Sequence, residues 1–483
     1  MIKVGLGLLM ALALARSFPG RRVVYALLFL PFVFPVVIGT VAWYYLFSNV
    51  HGGINYLLLQ AHLVPDSIAW LGVGPLPMAS LITVNVWHGT ALFGVLLLAA
   101  LRSVPADVLD AAIIDGARPL RRLWEMVVPY LGSALALGTV LSVVGTFGDF
   151  AIVHLLTGGG PAKRDHHRQY DGIPDRLTGR RPGGRHCSCP VDHPRLPGGA
   201  GLRGEGGGPA VSKALRQAPW LIFLALLLIF ALAPFEWMLV ASLKPADEQL
   251  IRGNPWWPDS PYWTNYTDLL SSHTFQQWLA NTALVMISTL AISLVASLLA
   301  GYALAYLDVP YSRGIVVALF ATYLLPQGVL FLPLVTMLSG LHLLNSPLAL
   351  IVTYPSLVIP FGTWVLWSFF RGLPRDLIDQ ARVECARIGD VLLKVVGPVA
   401  APALAAVLLF GLAIVFNDYF YAFAFVSDEN AQTLVAAVGS TSVDISDSGF
   451  TFAAVTIGVA PVAVLCAFFA DVYARGLAAG VID

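Results

Sequence analysis

The sequence predicts an all-α polytopic membrane protein, on the evidence of its composition, its long apolar segments and an internal repeat. Of 483 residues, 57% are hydrophobic and 12% are charged, which is about half the charge density of a soluble domain. This composition excludes an ordinary water-soluble enzyme. The 28 basic and 28 acidic side chains balance, which argues against nucleic-acid binding, since that requires a concentrated positive surface.

Apolar segments long enough to cross a bilayer recur along the chain. A spanning helix needs about 20 mostly apolar residues. The segment 4–15 is shorter, and the alternatives are a spanning helix without its first half, which we favour because Arg16, Arg21 and Arg22 follow it, or a signal peptide. The other predicted spans are 23–47, 79–101, 129–156, 219–242, 282–307, 315–340, 348–370, 399–426 and 452–474.

The distribution of Lys and Arg predicts the orientation of these spans, because cytoplasmic loops carry the basic residues. The segments 102–128 and 371–398 are rich in arginine and should be cytoplasmic. The stretch 23–101 has no Lys or Arg, and all charged residues of the loop 427–450 are acidic. Both loops should therefore be external. We expect a multi-pass protein of a bacterial cytoplasmic (inner) membrane with a cytoplasmic C-terminus.

Two cytoplasmic segments align without a gap at a separation of 269 residues. They are LRSVPADVLDAAIIDGARPLRRLWEMVVP from Leu101 and FRGLPRDLIDQARVECARIGDVLLKVVGP from Phe370. Farther on, Gly-Asp-Phe at 148–150 aligns with Asn-Asp-Tyr at 417–419. The chain is therefore predicted to contain two tandem copies of one membrane module, with about four and six transmembrane helices.

The two predicted modules, 1–161 and 214–483, are separated by a segment of contrasting composition. Residues 162–213 include eight arginines and eleven glycines, and nothing there can span a bilayer. The predicted orientation nevertheless requires an odd number of crossings between the modules, so the first module lacks its last helix as well as its first full one. We interpret 162–213 as an out-of-frame stretch joining two former subunits, with a flexible linker as the alternative.

Both repeated segments resemble the cytoplasmic coupling loop of binding-protein-dependent ABC importer permeases, specifically of the maltose and glycerol-3-phosphate type. That loop reads Glu-Ala-Ala, three residues, Gly, nine residues, Ile, one residue, Leu-Pro. The first copy keeps each spacing, whereas the second has Cys385 in place of the glycine. The matching positions are Asp110, Ala111, Ala112, Asp115, Gly116 and Pro129 in the first copy, and Asp379, Ala381, Glu384, Cys385 and Pro398 in the second.

The resemblance implies the permease of an ATP-driven carbohydrate importer. An external solute-binding protein would deliver a di- or oligosaccharide or a glycerol phosphate, and a cytoplasmic ABC ATPase dimer would bind the coupling loops. The chain has no P-loop, so ATP hydrolysis belongs to separate subunits, and we expect no catalytic residue, metal or cofactor. Two alternatives stay open, namely an inactive frameshifted remnant of two permease genes and a secondary ion-coupled transporter.

Polar residues within membrane spans are candidates for the substrate path because they are costly there. Asp149 and Asp418 occupy equivalent positions beside aromatic residues. Carboxylates can bind sugar hydroxyls, and flat rings can cover the apolar faces of a sugar. The alternative is that both acids cap helix ends. The candidates are Asp149, Phe150, Gln327, Asn417, Asp418, Tyr419 and Tyr421.

Overall fold

A computed structural model describes residues 1–159, 210–373, 388–441 and 449–460, apart from 17, 50–51, 73, 103, 106, 109–111, 113, 246–247, 249–255, 308, 324, 326 and 459. The described residues form helices and connecting turns, and no strand occurs among them. The predicted all-α class is therefore confirmed.

The first half of the chain contains seven labelled helices among its described residues. They are α1 (Ile2–Leu14), α2 (Arg21–Val33), α3 (Val36–Leu46), α4 (Gly53–Gln60), α5 (Leu76–Arg102), α6 (Gly132–Phe147) and α7 (Phe150–Thr157). Between α5 and α6 lie three short pieces, Pro119–Arg122, a π-helix Leu123–Val127 and Val128–Tyr130.

The described residues of the second half contain eleven more. They are α8 (Ala210–Ser242), α9 (Thr264–Ser271), α10 (His273–Tyr306), α11 (Ser312–Tyr323), α12 (Gln327–Gly340), α13 (Pro347–Thr353), α14 (Pro355–Arg371), α15 (Gly397–Asn417), α16 (Phe420–Phe425), α17 (Leu434–Thr441) and α18 (Gly449–Gly458). Before α15 lie a short helix, Ile388–Asp390, and a second π-helix, Val391–Val396.

Several of these helices are long and apolar enough to cross a membrane, so the prediction of a multi-pass membrane protein is confirmed. Among the described residues there are 5 such spans, or up to 8 if each bent helix pair counts as one. The division into four and six helices stays a prediction. The 5 unbroken spans are Leu76–Leu101, Ala218–Ser242, His273–Tyr306, Pro347–Arg371 and Lys394–Asn417.

Four of the predicted spans are each divided into more than one helix. Within 23–47, α2 and α3 meet at 92°, because Phe34 precedes a proline and adopts extended backbone with ψ 138. Within 315–340, α11 and α12 meet at 91°, at a Leu-Pro sequence. Within 129–156 and 399–426, α6 and α15 end at Phe147 and Asn417, and a short second helix, α7 or α16, follows after Asp149 or Asp418. The predicted span 452–474 lies mostly outside the described residues.

Contacts place Met1–Gly159 and Leu224–Asp483 in one compact unit. A second unit covers Gly160–Phe223, and its described part is the beginning of α8. Within the first unit, α1 packs along α5 and α10 packs along α14. Glycines permit these close approaches, since a Cβ added at Gly301 would lie 2.9 Å from the Leu366 Cβ atom.

Both halves contribute to a shared aromatic core inside the first unit. The indole nitrogen of Trp87 on α5 donates to the carbonyl of Ala231 on α8 at 3.0 Å. The Trp43 ring on α3 lies 5.8 Å from Phe230, and the Tyr45 ring lies 5.2 Å from Phe452 on α18. Helix α3 is consequently buried along most of its length, and the two halves are held together at this place.

Candidate functional site

Asp149 and Asp418, the two aspartates aligned by the repeat, have the same local geometry. The Asp149 Oδ1 atom accepts from the backbone N–H of Ile152 at 3.4 Å, and the Asp418 Oδ2 atom accepts from that of Tyr421 at 3.2 Å. A carboxylate three residues before such an N–H satisfies a free donor of the helix and favours its dipole. Asp149 is the N-cap of α7, whereas Asp418 lies one residue before Tyr419, the N-cap of α16.

The surroundings of the two carboxylates differ. Asp149 Oδ2 accepts from the side-chain amide of Asn85 at 3.2 Å. Asp418 is buried, and the hydroxyl of Tyr354 and the amide of Gln327 face its carboxylate. The Tyr421 hydroxyl donates to the backbone carbonyl of Gln327 at 3.1 Å. Both acids are thus hydrogen-bonded within their own half of the chain.

The short helices α7 and α16 meet where the two halves join. The Phe150 ring on α7 stacks on Tyr419 at 6.3 Å and approaches Phe420 edge-on at 5.3 Å. Nearby, the Asn417 Oδ1 atom accepts from the backbone N–H of Val36 at 2.9 Å. This bond satisfies a backbone donor in the first turn of α3. A side chain from the second half of the chain therefore caps a helix of the first half.

A cavity of about 560 Å³ lies beside this junction. Its volume falls within the range of small-molecule sites. Aromatic rings form much of its wall, and one amide and two hydroxyl side chains supply polar groups. The lining residues are Phe150 from the first half and Phe331, Phe420, Phe423, Ala424, Ser427, Gln432 and Ser440 from the second.

Of the seven residues predicted for a substrate path, Phe150 lines this cavity. Tyr419 stacks behind Phe150 and is 2% exposed. The others make the hydrogen bonds described above and do not line the cavity, and their predicted role in contacting substrate stays a prediction. Sequence reasoning missed Phe331, Phe420, Phe423 and Gln432, because apolar rings are common in spans and nothing in the sequence shows that four of them converge.

The first of the two repeated segments contains a turn centred on a glycine. Gly116 has φ +68, the left-handed region that favours glycine, and the N–H of Ala117 donates to the carbonyl of the buried Ala112 at 3.1 Å. Ile114 and Trp124 flank the turn and are 86% and 62% exposed. Sequence reasoning missed both, although large apolar residues in an arginine-rich segment are a usable signal.

Not all residues predicted for the coupling loops can be located. Asp110, Ala111, Asp379, Ala381, Glu384 and Cys385 lie outside the described residues. Asp115 is exposed next to Gly116. Pro129 and Pro398 each stand in the first turn of the helix that follows a π-helix, where the missing proline N–H costs no hydrogen bond.

Each of the two copies contains an ion pair, and the two ion pairs occupy aligned positions. The Arg121 Nε and Glu125 Oε2 atoms lie 2.7 Å apart, and the Lys394 Nζ and Asp390 Oδ1 atoms lie 2.7 Å apart. At the separation of 269 residues, Arg121 aligns with Asp390 and Glu125 aligns with Lys394. The acidic and basic positions are therefore exchanged between the two copies, but each copy keeps an ion pair. Each pair accompanies a π-helix, Leu123–Val127 or Val391–Val396.

Known proteins resemble parts of this chain. Residues 3–165 match the family described as binding-protein-dependent transport system inner membrane component. The sulfoquinovosyl glycerol transport system permease protein SmoH of Agrobacterium fabrum is 33% identical over 281 residues, which are 56% of this chain and 96% of that protein. The diacetylchitobiose uptake system permease protein NgcG of Streptomyces coelicolor is 30% identical over 245 residues, 50% of this chain and 80% of that protein.

Two further similarities extend this set. The trehalose/maltose transport system permease protein MalF of Thermococcus litoralis is 32% identical over 156 residues, 32% of this chain and 52% of that protein. A crystal structure of a bacterial ABC transporter that imports the acidic polysaccharide alginate aligns with 55% of this chain and 99% of its own chain, at 18% identity and a TM-score of 0.48. The relatives matched over most of their length thus account for only about half of this chain.

Proposed function

Because the chain belongs to the family of binding-protein-dependent transport system inner membrane components, we propose that it is the membrane-spanning permease of an ATP-driven carbohydrate importer. Residues 1–161 and 214–483 are two permease modules in one chain, and 162–213 joins them. The substrate is a di- or oligosaccharide or a glycerol phosphate. Relatives named for sulfoquinovosyl glycerol, diacetylchitobiose and trehalose or maltose support a glycoside larger than one sugar ring.

The observation that carries this proposal is the aromatic cavity between the modules. Phe150 belongs to the first module, whereas Phe331, Phe420 and Phe423 belong to the second. Such rings cover the apolar faces of a sugar, and the Gln432 amide offers both a donor and an acceptor to its hydroxyls. A site built from two modules can open to one side of the membrane or the other when the modules rock against each other.

Two partners complete the importer. An extracytoplasmic solute-binding protein delivers the sugar, and a cytoplasmic ABC ATPase dimer hydrolyses ATP. The exposed Ile114 and Trp124 beside the Gly116 turn supply an apolar surface for the ATPase. The chain itself catalyses no covalent step, and its C-terminus lies in the cytoplasm with the coupling loops.

Uptake of radiolabelled trehalose, maltose and sulfoquinovosyl glycerol tests the proposal in cells that also supply the ATPase and the binding protein. Transport of one of these sugars is expected, and it should stop when the partner ATPase is inactivated. The Phe150→Ala variant should raise KM about tenfold, since it removes one aromatic wall worth on the order of 1–1.5 kcal/mol. Phe147→Ala is the matched control, because Phe147 is 86% exposed and does not line the cavity.

The same assay separates the alternatives. Uptake that ignores the ATPase but stops with an ionophore identifies a secondary ion-coupled transporter. A chain that inserts in the membrane but carries no sugar with either energy source is an inactive remnant. Equal KM values for Phe150→Ala and Phe147→Ala would show that the cavity does not lie on the transport path.

A further inference from the structure

Lys3, on the apolar helix α1 of the first module, lies among polar side chains. The Lys3 Nζ atom on α1 donates to the Thr146 Oγ1 atom at 3.2 Å and to the Ser142 Oγ atom at 3.4 Å, both on α6. Thr146 donates to the Asn85 Oδ1 atom at 3.4 Å. The Asn85 amide then donates to Asp149 at 3.2 Å.

These bonds form one directed chain of donors from an ammonium group to a carboxylate. Hydrogen bonds aligned in this way polarise and strengthen one another. A single charge within a membrane is expensive unless an opposite charge compensates it. The Lys3 and Asp149 charges attract each other across the intervening Thr146 and Asn85, so each reduces the cost of the other.

The protein provides space for the lysine. A Cβ atom at Gly89 on α5 would lie 2.6 Å from the Lys3 Cδ atom and 2.9 Å from Nζ. Glycine at this position lets the lysine stem lie directly against α5.

The second module keeps the carboxylate but not the polar chain. At the positions aligned with Asn85 and Asp149 stand Tyr354 and Asp418, which face each other in the same way. The two hydroxyl side chains that Lys3 contacts are missing there, since Ser142 and Thr146 align with Gly411 and Val415. Gly89 aligns with Val358.

We propose that Lys3 is a positioning residue that acts through Thr146 and Asn85 to hold Asp149 as the charged cap of α7. Because Phe150 is the first residue of α7, this chain of hydrogen bonds fixes the aromatic wall that the first module presents to the cavity. The importance of that wall for transport rests on the proposed function. The hydrogen-bonded chain itself does not.

A double-mutant cycle on the full chain in detergent micelles tests the coupling. Lys3→Met leaves the carboxylate uncompensated and should lower the Tm by about 5 °C. Asp149→Asn should lower it less, and the Lys3→Met/Asp149→Asn double variant should recover most of the Lys3→Met loss. Lys3→Arg should stay near the parent. Lys3→Met/Asp418→Asn is the matched control, in which the two losses should add.

Additive losses for Lys3→Met and Asp149→Asn would overturn the proposal. If Lys3→Met does not fold, recovery of a folded protein in the double variant supports it, and a double variant that also fails to fold contradicts it. Uptake gives an independent readout: Lys3→Met should raise the KM for the transported sugar severalfold with little change in kcat. Absence of uptake in the parent chain would refute the proposed function while the Tm cycle still decides the role of Lys3.

Discussion

The helices α6 and α15 are equivalent in the repeat but have opposite surroundings. Three aligned pairs of side chains on the two helices are apolar and of similar size. The exposed fractions are 48% at Val140 against 5% at Leu409, 50% at Val143 against 5% at Leu412, and 86% at Phe147 against 2% at Phe416. The burial of a membrane helix is therefore decided by its neighbours and not by its own sequence.

The neighbour that makes the difference is α10. It has 34 residues, and it packs so closely on α15 that a Cβ at Gly411 would lie 2.8 Å from the Leu290 side chain. Its N-terminal part also fastens the loop after α16, since the Trp278 indole donates to the Glu429 carbonyl at 2.9 Å. The helix α1 has 13 residues, and its polar contacts with α6 come from Lys3 alone among the described residues.

The largest effect should come from truncating the aligned phenylalanines. Phe416→Ala removes a buried ring and should destabilise the protein by about 3–5 kcal/mol, whereas Phe147→Ala should change stability by less than about 0.5 kcal/mol. Thermal unfolding of both variants in the same detergent measures the difference. Equal losses would mean that the outer face of α6 is covered in the assembled protein, and the contrast between the two helices would disappear.

The sequence was sufficient to predict the fold class and the spans near 79–101, 219–242 and 348–370, because these depend on the length of local apolar segments. It was also sufficient to align Asp149 with Asp418, because that alignment depends on a repeated sequence motif. It did not reach the breaks in α2–α3 and α11–α12, since a proline in a membrane helix is compatible with a kink or with a full break. It also missed the ring cluster of the cavity. Phe150 and Phe331 are brought together by tertiary packing between halves, which no local pattern records.

A second effect concerns Asn417, which aligns with Gly148. The Asn417 side chain accepts from the Val36 N–H at 2.9 Å, whereas glycine has no side chain to offer. Asn417→Ala should cost about 1–2 kcal/mol by leaving that donor unpaired, and Asn417→Asp should retain most of the stability because a carboxylate also accepts. The Tm values of the two variants provide the check. A loss as large for Asp as for Ala would show that the bond does not join the halves.

A smaller effect is expected at the turn of the first repeated segment, where Gly116 aligns with Cys385. Gly116→Cys gives the first copy the residue of the second, and a side chain at φ +68 costs about 1–2 kcal/mol locally. The strain should displace Ile114 and weaken docking of the ATPase, so stimulation of ATP hydrolysis by the reconstituted chain should fall severalfold. Gly132→Cys is the control, because Gly132 has a helical φ and open space around it. Equal stimulation by both variants would assign the turn no part in coupling.

The smallest effect concerns the exchanged ion pairs beside the two π-helices. Arg121 and Glu125 are 68% and 54% exposed, and pairs of this kind contribute little because water screens them. Arg121→Asp brings like charges together and should lower the Tm by less than about 1 °C. Arg121→Asp/Glu125→Lys recreates the arrangement of Asp390 and Lys394 and should restore the parent Tm. The exchange could instead abolish uptake while the Tm is unchanged. That outcome would show that the ATPase distinguishes the sign of the charge at each position, and that the two coupling loops bind different partner surfaces.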